Sequence, residues 1–146
     1  YAEAAAAVLD GSVDAYASVA QAHRGYLQQH PELALAVVNV PVSAVAVAWG
    51  RTHGGTCEVH GDLIVTCESM DSGYTNAGTT AGNVWLYGDL GGDDRHRHEA
   101  RHSDQWAMLG LTFPALYGAE SARTGGDFHQ NVFEQWAGLH DGGYMD

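Results

Sequence analysis

The sequence predicts an α+β fold, with helices on either side of a short β-rich middle. Three observations carry that expectation. Apolar residues recur at three- and four-residue intervals before residue 30 and helix-compatible patterns return after residue 93, the period of a helix with one buried face. Between residues 56 and 88, short β-branched and aromatic runs alternate with Gly, Asp and Asn, the chemistry of strands and tight turns. No linker or internal repeat divides the chain, so its 146 residues are expected to form a single domain, 1–146.

The elements follow in order. An alanine-rich stretch ends at Asp10-Gly11-Ser12, where Ser12 is placed to cap a second helix. In that helix Val13, Tyr16, Val19, Ala20, His23 and Leu27 share a face, and Pro31 stops it. Residues 33–49 are 17 uncharged residues interrupted by Asn39, Pro41 and Ser43. A membrane span needs about 20, so a buried helix or strand pair is expected and membrane insertion is not. After a loop over residues 50–56, TCEVHGDLIVTC reads as a hairpin turning near Gly61-Asp62. A three-residue loop over 61–63 sets Cys57 opposite Cys67, whereas a two-residue loop at 61–62 pairs Cys57 with Thr66. A Cys57–Cys67 disulfide is the expectation, and with it an oxidising, extracellular location. Residues 69–82, rich in Ser, Gly, Asn and Thr, read as a loop, and NVWLY at 83–87 as a strand. A helix then runs from a cap at Asp93 or Asp94 to Gly110, a proline-bounded helix covers 114–123, and a last one covers about 131–138 before the tail LHDGGYMD.

Charge excludes some partners. Eighteen acidic residues face six basic ones, all arginine, for a net charge of −12. Nucleic acids and anionic membranes need a basic footprint, so no nucleic-acid partner is expected. The nine histidines are many for this length.

Two of them carry chemistry. His98-Glu99-Ala100-Arg101-His102 has the spacing H-E-x-x-H. On a helix, i and i+4 share a face, so both imidazoles reach one metal ion with Glu99 beside it. Zinc takes such nitrogen donors and keeps one position for water in a catalytic site. Glu99 is then placed to remove the water's proton as general base. At this composition roughly 0.03 matches arise by chance in a chain of this length. Arg101 inside the motif and Asp94-Arg95-His96-Arg97 before it are unusual company. Those arginines are expected to pair with Asp93, Asp94 or Asp104 or to face solvent, and His96 to point off the metal face. Trp106, Leu109, Phe113 and Trp136 are expected to fill the core beneath the site. Asp104 and Gln105 are candidates to orient an imidazole.

The run HEARHSDQWAMLG, with LYGAE, N-x-F-E-x-x-A-G and DGGY after it, resembles the small secreted metallopeptidase-like domains of actinobacteria in the zincin group. The resemblance covers about residues 55–146, with its specific part in 98–144, and leaves 1–50 as a helical N-terminal part. It implies a minimal zincin-like fold and a gluzincin arrangement, in which a glutamate on a later helix is the third zinc ligand. Glu134 in NVFEQWAG matches that pattern, with Asn131 as helix cap and Phe133 and Trp136 as anchors; His129, Glu120 and Asp127 are rivals. A histidine six residues after His102 would indicate a metzincin, but Met108 stands there. A donor is needed to stabilise the oxyanion, and Tyr144, Tyr117, His129 and Arg123 are candidates. In zincins the strand before the motif helix is the edge that binds extended peptide, a place that residues 83–87 occupy.

The resulting expectation is a secreted zinc metallopeptidase acting on a peptide or protein substrate. The alternative is a non-catalytic zinc-binding or structural module, or a toxin domain, of a larger secreted assembly.

Overall fold

In the computed structural model, residues 29, 37–73, 78–89 and 91–144 are described, all but Gln29 within the unit Leu35–Asp146. The helices expected over residues 1–30, with His23 and His30, lie outside the described residues apart from Gln29.

From Val40 onward the apolar run forms a helix, α1 (Val40–Thr52), which is not the buried element expected: Ala46 and Gly50 are buried, while Val40, Val45 and Trp49 are exposed. Pro41 sits in its first turn, where a missing N–H costs no hydrogen bond, so the proline begins the helix instead of breaking it. The Asn39 amide before it donates to Asn83 Oδ1 at 2.8 Å and to the Ser103 carbonyl at 2.9 Å. One buried side chain thus ties the start of α1 to a strand turn and to the motif helix. At the other end of α1, a Cβ on Gly50 would lie 2.8 Å from Cys67 Cβ. Only glycine lets the helix approach the sheet that closely.

The hairpin forms from β1 (Thr56–Val59) and β2 (Val65–Glu68), with Cys57 paired to Cys67 and the disulfide made. Its loop is the three-residue one. His60 N–H donates to the Ile64 carbonyl, Leu63 N–H donates to the His60 carbonyl, and Leu63 has φ 68°, the left-handed residue that closes such loops.

The sheet departs from expectation in two places. Residues 69–82 contain a strand, β3 (Thr79–Ala81), too short at three residues to show alternation in sequence. The strand expected at 83–87 appears as β4 (Val84–Leu86), but it is not the edge. The sheet order is β1-β2-β4-β3, with β2 and β4 parallel and the other pairs antiparallel. The turn at Gly82-Asn83 folds β3 back onto the open side of β4, so β3 takes the edge.

Every residue of β4 is buried because both sheet faces are covered. On one face α1 closes over Cys67, Met70, Val84 and Leu86 with Ala46. On the other, Thr80 and Trp85 face α2 (Asp93–Leu109). Gly92 precedes α2 without a side-chain cap; Asp93 and Asp94 instead occupy its first turn, where negative charge complements the helix dipole. Gly110 ends it. A 3-10 turn leads to α3 (Phe113–Arg123), and a second 3-10 turn at Phe128–Gln130 leads to α4 (Val132–Ala137). Asn131 caps α4, its side chain accepting from Phe133 N–H. Phe133 packs on Phe113, and Trp106 and Phe113 are buried as expected. Trp136, expected in the core, is half exposed because the buried face of α4 is made by Glu134 and Ala137; Leu109 is only partly buried. Among the described residues no helix is long and apolar enough to cross a membrane.

Candidate metal centre

Helical spacing does what the motif requires. His98 and His102 stand one turn apart on the buried face of α2, with their Nε2 atoms 3.1 Å apart. The first turn of α4 brings Glu134 to meet them, with Oε2 3.1 Å from His98 Nε2 and 3.6 Å from His102 Nε2. A tetrahedral zinc site with bonds of about 2.0–2.1 Å has ligand–ligand edges of about 3.3–3.4 Å. The three atoms therefore form a triangle of the size of one face of that tetrahedron.

Hydrogen bonds on the far side of each ring decide what the inner nitrogens offer. His98 Nδ1 faces the Gly138 carbonyl at 3.0 Å, which can only accept. His102 Nδ1 faces Gln105 Oε1 at 2.8 Å, and the Gln105 amide nitrogen is committed as donor to the Phe133 carbonyl at 2.9 Å. Both Nδ1 atoms therefore carry the proton of the neutral ring, leaving two Nε2 lone pairs and a carboxylate oxygen converging on one point. Glu134 Oε2 is buried and accepts no hydrogen bond from the described residues. Three lone pairs aimed at one buried point repel unless a cation lies between them, so the donor set fits a metal ion.

The electrostatics agree. Burial drives the Glu134 carboxyl upward, but the facing His102 and His98 rings and the Tyr117 hydroxyl hold it well below the usual carboxylate range. Burial drives His102 downward, yet Glu134 and then Glu99 raise it above an ordinary histidine. Both shifts describe a buried anionic site that favours a cation on the Nε2 side of His102, whether a proton or a metal ion bound in its place.

Around it, the Tyr117 hydroxyl donates to Glu134 Oε1, so this tyrosine braces the carboxylate. Glu99 is buried one position from His98 and accepts from Thr80 Oγ1 at 2.6 Å. Burial pushes its carboxyl up, and His102, the Thr80 hydroxyl and His98 offset this only in part. Tyr144 lies edge-on to His98, ring centroids 5.7 Å apart. Burial, then the Glu134 and Glu99 charges, raise its phenol, which stays a proton donor at neutral pH. The triad, Glu99, Thr80, Tyr117 and Tyr144 all line one cavity of about 330 Å³, floored by Trp106 and Phe113.

The arginines around the motif have a use. Arg101 binds Asp141 at 2.9 Å and the Ala137 carbonyl, and Arg97 reaches Asp141 as well as Asp94. These bonds strap the segment after α4 along α2, which carries the Gly138 carbonyl to His98 and Tyr144 to the cavity. Of the expected acidic partners Asp94 pairs with Arg97 and Asp104 is exposed, while Asp141, outside that set, binds both Arg97 and Arg101. A Cβ on Gly142 would meet His98 Cε1 at 2.7 Å, so the strap passes directly over the ligand.

The rival ligands are engaged elsewhere. His129 is exposed and its Nε2 bonds the Tyr144 carbonyl. Glu120 is fastened by Arg123 and the Val132 amide, which also takes Arg123 away from the centre. Asp127 accepts from the His129 amide and the Gln130 side chain. His96 points off the metal face, to Asp62 at 2.7 Å. Of the two candidates to orient an imidazole, Gln105 does so and Asp104 does not. Thr80 and the Gly138 carbonyl carry no motif in the sequence; a threonine before the Gly82-Asn83 turn is the only hint of the former. No protein family, curated protein or solved structure matches the chain, so the case for its chemistry rests on this geometry.

Proposed function

We propose that this protein is a zinc-dependent hydrolase of minimal zincin-like fold that cleaves peptide bonds, secreted, with a peptide or protein substrate. The observation that carries the reading is the buried triangle of His98, His102 and Glu134, with Glu99 beside it in a cavity open to a ligand. Zinc held there supplies Lewis acidity and makes water a nucleophile at neutral pH. The chain's own residues do the rest. Gln105 and the Gly138 carbonyl hold the two rings in the tautomer that presents Nε2. Glu99, its carboxyl biased upward by burial, takes the proton from the attacking water and delivers it to the departing amine. Tyr144, which lines the cavity edge-on to His98 and is kept protonated by burial, is the donor we assign to the oxyanion. Tyr117 braces the third ligand by donating to Glu134 Oε1, and it also lines the cavity. The Cys57–Cys67 disulfide supports an oxidising compartment.

The alternative, a zinc-holding module without turnover, is favoured by the near-complete burial of all three ligands. Glu99 and the adjoining cavity favour the enzyme, since a closed structural site needs neither. Glu99→Gln decides between them. The variant is expected to retain one equivalent of zinc and to lose about 10²–10⁴-fold in peptide cleavage. Zinc retained with cleavage unchanged would remove Glu99 as base, and a wild-type protein that binds zinc without cleaving any peptide would establish the module.

A further inference from the structure

We propose that Thr80 is the positioning residue for Glu99, an inference that rests on reading Glu99 as the general base. Thr80 Oγ1 lies 2.6 Å from Glu99 Oε2, and both residues are buried. An ionised carboxylate only accepts, so the hydroxyl gives it its single proton and the bond has one direction. That bond engages Oε2 and leaves the acceptance of the water's proton to Oε1.

The donor is itself held. Ala81 and Val84 flank the two-residue turn, so in this antiparallel pair Thr79 and Ala81 turn their backbone groups toward β4, while Thr80 turns its own toward the open edge. There Trp106 Nε1 donates to the Thr80 carbonyl at 2.8 Å. Helix α2 therefore grips Thr80 at two points, the side chain of Glu99 and the indole two turns later. The β-branched side chain adds a stiff χ1, so its hydroxyl does not swing. A free glutamate has three rotatable bonds; here its head is fixed by a strand that is fixed by the same helix. The edge strand thus serves the proton-transfer group directly, through a side chain, besides shaping the cavity with Thr79 and Gly78.

The test uses Thr80→Val, which keeps the branched shape and removes the donor, and Thr80→Ser, which restores it, in the whole chain with one equivalent of zinc. Against a fluorogenic peptide mixture, Thr80→Val is expected to lower kcat about tenfold with KM held, and Thr80→Ser to recover most of it. Zinc content stays at the wild-type value in both, while Thr80→Val, which leaves a buried acceptor without its donor, lowers the melting temperature and Thr80→Ser restores it. A second readout is independent of turnover: the side-chain carboxyl carbon NMR resonance of Glu99 in zinc-free protein, identified by its disappearance in Glu99→Gln. It moves in Thr80→Val and returns in Thr80→Ser. Wild-type kcat together with an unmoved resonance in Thr80→Val overturns the proposal. So does a Thr80→Ser variant that folds normally and still has the Thr80→Val rate. Cleavage that survives Glu99→Gln removes the general-base reading instead, and the resonance then still decides whether Thr80 holds Glu99.

Discussion

Replacing Gln105 by leucine isolates the link between fold and metal. Gln105 is fully buried and sits between two elements, accepting from His102 Nδ1 and donating to the Phe133 carbonyl at the start of α4. Leucine fills similar space but accepts nothing, so the buried His102 N–H loses its partner. An unsatisfied buried donor costs about 1–3 kcal/mol, which is expected as lost stability of the zinc-free protein in urea unfolding. Loss of an outer hydrogen bond to a ligating imidazole typically weakens metal binding about 10–100-fold. In excess zinc that factor removes a further 1.4–2.8 kcal/mol, roughly, from the metal-linked part of the stability. Competition with a chromogenic chelator measures the affinity, and Asp104→Asn, at the exposed neighbouring position, is the control. Gln105→Leu protein that binds zinc as tightly as wild type would refute the claim that Gln105 fixes the tautomer of a ligand.

Three further outcomes are expected. Gly142→Ala forces a methyl group against His98 Cε1 and Tyr144 Cε2, each 2.7 Å from the ideal Cβ, and should cost about 1–3 kcal/mol in chemical denaturation while weakening zinc binding. Cys57→Ala/Cys67→Ala opens a link of sequence separation 10, for which chain entropy gives a loss of about 2.7 kcal/mol; the variant should still take up one zinc, because the hairpin contributes no ligand. Burial, then the neighbouring Glu68, pushes the Tyr87 phenol up to about 12. A folded-state value above the unfolded one means the Tyr87 contribution to stability is complete below pH about 10 and disappears as pH rises toward about 12. Stability measured across that window should fall more steeply in wild type than in Tyr87→Phe, and phenolate absorbance should show a late-ionising tyrosine that Tyr87→Phe removes.

What the sequence reveals of the centre follows the range of each interaction. The two histidines are legible because helix periodicity alone sets them on one face, and Gly110 marks the helix end; the start was legible only to within a residue or two, since Gly92 and not an aspartate holds the cap position. Cys57 and Cys67 are legible to within the choice of loop, since register arithmetic pairs them once Leu63 takes the left-handed position. Glu134 needed a resemblance, because nothing local says that α4 returns to α2. Thr80 was invisible for two reasons: a three-residue strand shows no alternation, and its partner lies 19 residues away. Trp136 misled, its size suggesting a core that the six-residue α4 assigns to Glu134 and Ala137. Arg97 and Arg101 looked foreign to a metal helix because their partner Asp141 lies in a segment whose path only the fold defines.

On the proposed reading, His98, His102 and Glu134 together hold one zinc ion and leave a position for a small ligand. X-ray absorption at the zinc edge, on protein reconstituted with one equivalent, tests it most directly. A four-coordinate shell of nitrogen and oxygen at about 2.0–2.1 Å is expected, with the scattering signature of two imidazoles and one exchangeable oxygen. A spectrum of hydrated zinc without imidazole scattering, or one unchanged by Glu134→Ala, would contradict it.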